Sequence, residues 1–390
     1  QKPVSILPWT SPWRFGIVAD NPATVVQSNL VSDLSHPSVI SGESWIKPGR
    51  ASWSWWSAGS TPRDFNRLKK YVDLSASFGW EYTLVDAGWD NMQNGTLEEL
   101  ATYANSKNVG LLVWYNSGGP NNVVTASPRD RMFDPPVRKK EFAWLQKIGV
   151  KGVKVDFFQS DKQEIIKLYL GILKDAAEAH LLVNFHGCTM PRGWSRTYPN
   201  LLSMEAVRGG EAYRFDRNYP AYAAVHNTII PFTRNVMGPV DFTPVTFSDV
   251  NYPHITTNAH ELALSVVFQS GILHLADNYK VYPQQPEYVI DFLKNIPVSW
   301  DETRLLDGKP GEMVIIARRS ADKWYIAGIN GTDKTITVKP DLSFAGNDND
   351  ISLISDGDTD RSFQFNDNIP VNNLPEISML PRGGFVAFTK

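Results

Sequence analysis

The chain has 390 residues, a length that allows two or three domains, or one large barrel with a smaller companion. Its formal net charge is −3 without any basic block, which argues against binding to nucleic acid or to an anionic membrane surface. The single cysteine, Cys188, excludes an internal disulfide and any metal site built on several cysteines, and no apolar run reaches the ~20 residues of a membrane span.

Residues 1–49 contain several prolines and no clear helical pattern, which predicts an extended lead-in lying over the rest of the protein. Residues 50–296 alternate short apolar runs with longer amphipathic patterns, as expected for βα units around a parallel sheet. The predicted strands are Ala51–Trp56, Glu81–Ala87, Gly110–Tyr115, Gly152–Phe158, Leu181–Phe185, Leu201–Val207, Ile229–Asn235 and Ile272–Ala276. The predicted helices are Pro62–Phe78, Leu97–Ser106, Arg138–Ile148, Asp161–Ala179, Thr257–Gln269 and Pro286–Asn295. This rhythm favours an α/β fold of the (β/α)₈ TIM-barrel type over a doubly wound open sheet.

From residue 297 to 390 the pattern changes to short runs of period two, separated by Gly, Asn and Asp turns. Such runs predict a C-terminal antiparallel β-sandwich. Its predicted strands are Glu312–Arg318, Lys323–Ile329, Thr335–Val338, Ile351–Ser355, Ser362–Phe365, Glu376–Leu380 and Gly384–Phe388.

Reactive groups of a (β/α)₈ barrel gather where the strands end, so the polar residues at those places are the candidates for a site. Lys154 and Asp156 lie two apart on one predicted strand, and their side chains therefore point to the same side. A neighbouring lysine keeps a carboxylate ionised, which a nucleophile requires. A structural ion pair explains this motif alone equally well.

Glu205 and Glu211 flank a glycine-rich turn that begins with Arg208. A carboxylate opposite Asp156 would complete the acid and nucleophile pair of a glycosidase. Carboxylates without a thiol or histidine cluster also suit a hard cation such as Ca²⁺. Taken alone, Glu211 is better explained as an acidic residue in the first turn of a helix.

Other strand ends carry groups that suit a sugar. Asn184 lies near the end of the fifth predicted strand and His186 directly follows that strand, where the histidine is a candidate general base or hydrogen-bond donor. Asp86 beside Trp89 would pair a hydroxyl acceptor with an apolar platform. Trp53 and Trp114 end two further strands, within a chain that has nine of its 13 tryptophans between Trp9 and Trp114. Plain packing is the alternative use for each of these rings.

Several motifs together resemble glycoside hydrolase family 97, and the resemblance extends over nearly the whole chain. The segments that carry it are 44–56 (SWIKPGRASWSWW), 85–89 (VDAGW), 154–158 (KVDFF), 184–187 (NFHG) and 196–200 (RTYPN), the last shortly before Glu205. The shorter motifs are also similar to the wider group of retaining α-galactosidases.

The resemblance implies a retaining exo-α-galactosidase acting on terminal α-galactosides. The inverting α-glucosidases of the family carry a catalytic glutamate directly after the histidine, where this chain has Gly187, and lack a carboxylate corresponding to Asp156. On the same basis Asp156 is the expected nucleophile and Glu211 the expected acid/base, with Glu205 and Glu211 as ligands of Ca²⁺. The expected substrate-binding residues are Trp53, Asp86, Trp89, Trp114, Lys154, Asn184, His186 and Arg208.

Family members also carry an N-terminal β-sandwich, and the lead-in resembles its end. We therefore expect an upstream sandwich domain, with Trp9, Trp13 and Trp45 at its interface, and a bacterial periplasmic or extracellular location. Two alternatives remain open. One is an inverting α-glucosidase that uses Glu261 or Asp249 as its base, and the other is a carbohydrate-binding barrel without activity. A metal-dependent lyase is disfavoured because the sequence offers no histidine-rich ligand set.

Overall fold

The computed structural model describes residues 6–8, 14–249, 253–346 and 349–390. Seven parallel strands form the central sheet: β1 (Gly49–Trp53), β2 (Tyr82–Val85), β3 (Gly110–Asn116), β4 (Gly152–Asp156), β5 (Leu182–Phe185), β6 (Leu201–Met204) and β7 (Ile272–Leu275). Their spatial order is β6-β5-β4-β3-β2-β1-β7. The barrel nearly closes between β7 and β6, where Gly271 N–H donates to the Leu202 carbonyl at 3.1 Å. A Cβ at residue 271 would lie 2.7 Å from that carbonyl oxygen, so the close approach requires glycine. The predicted TIM-like fold class is confirmed.

The helices that cover the barrel form where their amphipathic patterns predicted them. The α-helices of the described chain are α1 (Pro22–Val26), α2 (Leu30–Asp33), α3 (Phe65–Phe78), α4 (Leu97–Ser106), α5 (Pro135–Lys147), α6 (Gln163–Glu178), α7 (Trp194–Thr197), α8 (Ala212–Phe215), α9 (Tyr219–Ile229), α10 (Asn258–Val267) and α11 (Glu287–Asn295). Asp64 caps α3, and Thr96 with Glu99 forms a reciprocal capping box on α4. None of the described helices combines the length and apolarity needed to cross a bilayer.

The predicted strand Ile229–Asn235 is wrong, because α9 runs directly into two 3₁₀ turns, Ile230–Phe232 and Arg234–Met237. The apolar run that suggested a strand contains Pro231, which has no N–H for a sheet ladder but suits the first turn of a helix. A single parallel bridge from Val240 to Met204 lies beside β6 instead, and Asp241 follows it at once.

The lead-in is not purely extended as predicted, because it contains α1, α2 and a 3₁₀ turn at Glu43–Trp45. Asn21 caps α1 through its side chain, and Gln27 Oε1 accepts from Leu305 N–H of the C-terminal sheet at 3.1 Å. Trp45 is half-buried and stacks on His180. Trp9 and Trp13 lie outside the described residues.

The C-terminal strands are β8 (Glu302–Lys309), β9 (Met313–Ser320), β10 (Lys323–Asn330), β11 (Ile336–Val338), β12 (Asp350–Asp356), β13 (Phe363–Pro370), β14 (Ile377–Met379) and β15 (Gly384–Thr389). They form a six-stranded antiparallel sheet, β13-β12-β15-β10-β9-β8, and a two-stranded sheet, β11-β14. The sequence pattern missed β8, whose side chains are only partly covered because it is an edge strand.

Helix α10 joins the C-terminal sheet to the barrel, and each of its ten residues is buried. Arg318 from β9 donates to the carbonyls of Val266 and Val267 at the end of α10. A second connection is made by Arg361, which follows β12. Its guanidinium donates to Asp249 Oδ1 and to the carbonyls of His254 and Thr256 in the chain before α10.

Candidate active site

The inward-facing side chains at the ends of the strands form a polar layer on an apolar floor. The floor contains Ala51, Leu84, Leu112, Leu182 and Ile272. Two positions further along the same chain segments lie Trp53, Asp86, Trp114, Asn184 and His274, all buried. Because side chains alternate along a strand, both sets face the barrel interior. The polar layer therefore continues the barrel core toward its carboxyl end.

Lys154 connects several carboxylates within this layer. Its ammonium lies 3.1 Å from Asp86 Oδ2 and 3.5 Å from Glu211 Oε1. Burial opposes the charge, but these carboxylates outweigh it and raise the pKa of Lys154. The lysine is therefore a permanent positive charge that joins β2, β4 and the segment after β6.

Two of the predicted tryptophans orient carboxylates. Trp53 donates its indole N–H to Asp86 Oδ2 at 2.8 Å, and Trp114 donates to Asp156 Oδ2 at 3.1 Å. Both rings are at most 1% exposed, so neither offers an open face for a sugar. Their position at the site agrees with the sequence, but their use as hydrogen-bond donors differs from the expected stacking.

Asp156 is held in one orientation at the end of β4. Besides Trp114, the N–H of Phe157 donates to Asp156 Oδ1 at 2.6 Å. Phe157 reaches this geometry with a φ of 64°, in the left-handed region that is uncommon for residues other than glycine. Burial raises the pKa of Asp156, while the positive charges of His186 and Lys154 act in the opposite direction.

His186 faces both glutamates with the same ring nitrogen. Its Nδ1 lies 3.3 Å from Glu211 Oε1 and 3.5 Å from Glu205 Oε1. Burial, with the charges of Glu211 and Asp156, raises the pKa of Glu205 to about 7. Burial opposes ionisation of Glu211 as well, but Lys154 and His186 outweigh it and lower the pKa to about 2. In the substrate-free site the proton of the pair therefore belongs to Glu205.

The ionisable side chains at the strand ends form a cluster: Asp86, Lys154, Asp156, His186, Glu205 and Glu211. The two glutamates are its most exposed members, with side chains 20% exposed for Glu205 and 16% for Glu211. One ligand atom each from His186, Glu205 and Glu211 lies within 4.8 Å of the other two. Glu211 Oε1 is buried and has no hydrogen bond among the described residues. Two carboxylates with such an oxygen fit a hard cation, whereas the imidazole is a poor ligand for one.

Gly187 lies at the position where the resemblance described above places the base of the inverting enzymes. Its N–H donates to Glu205 Oε2 at 2.8 Å, and its φ of 49° is left-handed. A Cβ at residue 187 would lie 2.8 Å from Asp156 Oδ1 and 2.7 Å from Phe157 N, closer than real Cβ contacts. With this backbone, a side chain at position 187 and the carboxylate of Asp156 exclude one another.

Asp241 is a site residue that the sequence reading missed. Its Oδ2 accepts from Asn184 Nδ2 at 2.5 Å and lies 2.6 Å from His186 Nε2 and 2.8 Å from His274 Nδ1. Burial opposes its charge, but the two imidazoles hold the pKa of Asp241 well below its usual range. Because it follows a single bridge rather than a strand, no apolar run marked it.

Two predicted substrate-binding residues are not brought to the cluster. Trp89 lies in the layer between barrel and helices, stacked on Trp144 of α5, because it begins a 3₁₀ turn that points the ring outward. Arg208 is more than half exposed and pairs with Asp216. The substrate-binding roles expected for Trp89 and Arg208 therefore stay predictions that these positions do not support.

The bases considered for an inverting enzyme are engaged elsewhere. Glu261 is buried on α10 and accepts from the hydroxyls of Thr246 and Thr256. Asp249 pairs with Arg361 at 2.9 Å. Cys188 is half-buried, and burial raises the pKa of its thiol, which does not suit a nucleophile.

A barrel with paired carboxylates at its strand ends has the architecture of barrel-type glycoside hydrolases. Residues 45–207 match the sequence model of glycoside hydrolase 97, and residues 299–390 match the C-terminal domain of the same family, described as an oligomerisation domain. Together the matched segments cover more than half of the chain. The chain belongs to glycoside hydrolase family 97.

Two curated relatives are similar in sequence. A probable retaining α-galactosidase of Streptomyces bingchenggensis is 39% identical over 82% of this chain and 49% of its own length. A retaining α-galactosidase of Bacteroides thetaiotaomicron is 34% identical over 87% of this chain and 53% of its own length. The chain thus spans about half the length of the curated relatives it matches.

Solved structures show the same fold. A β-arabinopyranosidase is 33% identical with a TM-score of 0.88, covering 95% of this chain and 60% of that protein. A variant of a glycoside hydrolase family 97 enzyme from Pseudoalteromonas sp. strain K8 is 22% identical with a TM-score of 0.81, covering 95% and 64% of the two chains.

Proposed function

We propose that the full-length protein is a retaining exo-α-galactosidase that forms a covalent β-galactosyl-enzyme on Asp156. The observation that carries this proposal is the packing of Gly187 against Asp156 Oδ1, which leaves room for a carboxylate at 156 and none for a base at 187. The names of the two relatives from Streptomyces and Bacteroides support the same activity.

The proposed reaction is a double displacement. Asp156 attacks the anomeric carbon while the leaving oxygen takes a proton from Glu211, which first receives the proton that Glu205 holds in the substrate-free site. Glu211 then removes a proton from the water that releases galactose. Trp114 and the Phe157 N–H hold the attacking carboxylate. Lys154 and His186 lie against Glu211 and balance its charge when the proton has left.

We also propose that Glu205 and Glu211 hold a Ca²⁺ ion, since one carboxylate oxygen of each lies within 4.8 Å of the other and Glu211 Oε1 is buried without a hydrogen bond among the described residues. When bound, the ion would supply positive charge beside the two carboxylates. Chelation with EDTA should lower the melting temperature and the activity, and added Ca²⁺ should restore both. A melting temperature that EDTA leaves unchanged would remove the ion from the proposal.

The nucleophile is tested with Asp156→Ala. Hydrolysis of an aryl α-galactoside should fall by about 10⁴-fold or more, because covalent catalysis is lost, and azide should restore turnover with β-galactosyl azide as product. Asp249→Asn is the matched control and should retain the wild-type rate. Unchanged hydrolysis by Asp156→Ala, or a rate lost in Asp249→Asn, would refute the assignment.

The acid/base is tested with Glu211→Gln and Glu205→Gln, since the substrate-free site places the proton on Glu205. The variant of the true acid/base should keep kcat/KM for a dinitrophenyl α-galactoside, whose leaving group needs no proton, and lose it for an alkyl α-galactoside. Azide should give α-galactosyl azide with that variant. If Glu205→Gln alone shows this pattern, the roles of the two glutamates are exchanged.

A second candidate is hydrolysis of β-arabinopyranosides, favoured by the 33% identity and TM-score of 0.88 to a β-arabinopyranosidase. The β-L-arabinopyranosyl ring matches the α-D-galactosyl ring except for the missing hydroxymethyl group. The kcat/KM values for the two p-nitrophenyl glycosides decide between them. A tenfold or larger preference for the arabinoside would replace the proposed substrate.

We further propose residues 50–296 as the catalytic domain, residues 297–390 as the C-terminal domain, and an upstream β-sandwich that follows from the family resemblance. The same resemblance supports a bacterial periplasmic or extracellular location. Cell fractionation of the native host, with the mass of the mature protein, tests both statements.

A further inference from the structure

Asp241 directly follows Val240, which forms a single parallel bridge to Met204 beside β6. The Asp241 side chain is buried. Its backbone N–H donates to the Met204 carbonyl at 3.0 Å, one residue before Glu205. Its side chain is 1% exposed and gathers Asn184, His186 and His274 on the single oxygen Oδ2. A buried carboxylate with this many donors on one atom has a fixed position.

We propose that Asp241 is a positioning residue that orients the imidazole of His186 toward the acid/base glutamate. This inference rests on the proposed function and assigns a role to a residue outside the expected site.

The geometry of His186 carries the inference. The imidazole is 1% exposed, and its two nitrogens have different neighbours: Nε2 meets Asp241 at 2.6 Å, and Nδ1 meets Glu211 at 3.3 Å and Glu205 at 3.5 Å. Because Asp241 fixes the Nε2 end, the Nδ1 end must face the glutamates. The second partner of a functional imidazole commonly sets its orientation in this way.

The surroundings hold Asp241 independently of His186. Asn184 and His274 come from β5 and β7, on either side of the bridge, and both approach Oδ2. Loss of the Asp241 carboxylate would free the ring of His186 to turn, and the glutamates would lose their Nδ1 neighbour. Whichever of the two glutamates donates the proton, His186 lies beside it.

Asp241→Asn tests the role, with alkyl and dinitrophenyl α-galactosides compared. We expect kcat/KM for the alkyl substrate to fall by about 10–100-fold, as for other residues that orient a functional imidazole. For the dinitrophenyl substrate it should stay within about threefold, because that leaving group departs without a proton. Equal losses on both substrates would show a purely structural role and overturn the inference, as would no loss on either.

His274→Asn is the matched control, because it removes another donor to the same oxygen without touching the His186 ring. It should change both substrates equally. His186→Gln gives a second route if Asp241→Asn folds poorly, and it should show the same dependence on the leaving group. The double variant should lose no more than His186→Gln alone, since the two residues act as one unit; additive losses would contradict this.

The outcomes separate the inference from the function on which it rests. If neither Glu211→Gln nor Glu205→Gln responds to the leaving group, the proposed reaction fails. If one of them responds and Asp241→Asn does not, only the positioning role of Asp241 fails.

Discussion

The polar layer at the carboxyl ends of the barrel strands, called here the barrel mouth, and the interface around α10 both bury ionisable side chains. The hydrogen-bond partners of these side chains differ between the two regions. At α10, Arg318 donates to two backbone carbonyls and to the Thr303 hydroxyl, and His260 lies between the Gly383 carbonyl and the Asn227 amide. At the mouth the partners of Lys154 and His186 are carboxylates, which themselves titrate.

This difference separates stability from chemistry. A backbone carbonyl keeps its charge distribution under all conditions, so the α10 interface fixes a shape. A set of carboxylates and cations that face one another can exchange protons and respond to a substrate. Changes at the mouth should therefore affect activity and stability together, whereas changes at α10 should affect stability alone.

The largest effect is expected from Lys154→Met. Removing this ammonium leaves Asp86 and Glu211 buried without their common partner, which should cost about 3–5 kcal/mol of unfolding free energy and most of the activity. Urea denaturation and aryl galactoside hydrolysis measure the two losses. Lys139→Met, at an exposed lysine that pairs with Glu178 and Asp175, should leave both measurements nearly unchanged. Similar losses in both variants would contradict the role of Lys154.

Gly187→Ala should lower kcat/KM by about 100-fold, because the new Cβ must displace Asp156 Oδ1 or Phe157 by a large fraction of an ångström. Gly42→Ala is the matched control: its φ of 71° imposes similar backbone strain, but nothing lies within 4 Å of the added Cβ. The control should be less stable by about 1 kcal/mol and fully active. Activity retained by Gly187→Ala would show that the Asp156 carboxylate has more room than the geometry allows.

Arg318→Met should cost about 2–3 kcal/mol of stability, since the carbonyls of Val266 and Val267 lose their buried donor. Burial lowers the pKa of Arg318 to about 9, and the methionine avoids this penalty while filling similar space. The kcat of the folded fraction should equal that of the wild type. A changed kcat would mean that the two regions are coupled.

The smallest effect is a pH dependence of stability at His260. Burial lowers its pKa to about 3, below the unfolded value of about 6.5, so the folded protein binds fewer protons between these values. Its contribution is present above pH 6.5 and is lost as the pH falls, by about 2 kcal/mol at pH 5. Urea unfolding of the wild type and His260→Gln at both pH values measures this loss. Equal pH slopes in the two proteins would contradict it.

The sequence was sufficient where a side chain directly follows a well-formed strand. Lys154 and Asp156 lie at the end of one short apolar run and His186 directly follows another, and chain order alone places such ends at one edge of a barrel. Helices such as α4 were predictable because their caps and apolar faces agree. The barrel and the carboxylate-bearing strand ends could therefore be derived without coordinates.

Other features depend on tertiary contacts that no local pattern records. Asp241 follows a bridge too short to produce an apolar run, and Trp89 turns outward within a 3₁₀ turn two residues after a predicted strand. At Ile229–Asn235 the sequence predicts a strand and the structure has helical turns. The β-branched residues near Pro231 occur in either state, so the local pattern does not separate them.

The contacts of Arg361 have a practical consequence for dissecting the molecule. This arginine reaches from the C-terminal sheet to Asp249, His254 and Thr256, in the stretch of chain that begins beside Asp241. Ending an expression product at residue 296 would remove that anchor along with the whole surface on which α10 rests. We therefore expect the smallest autonomously folding unit that contains the barrel to include the sheet, and shortened versions of this chain should be cut at loops rather than at the boundary after α11.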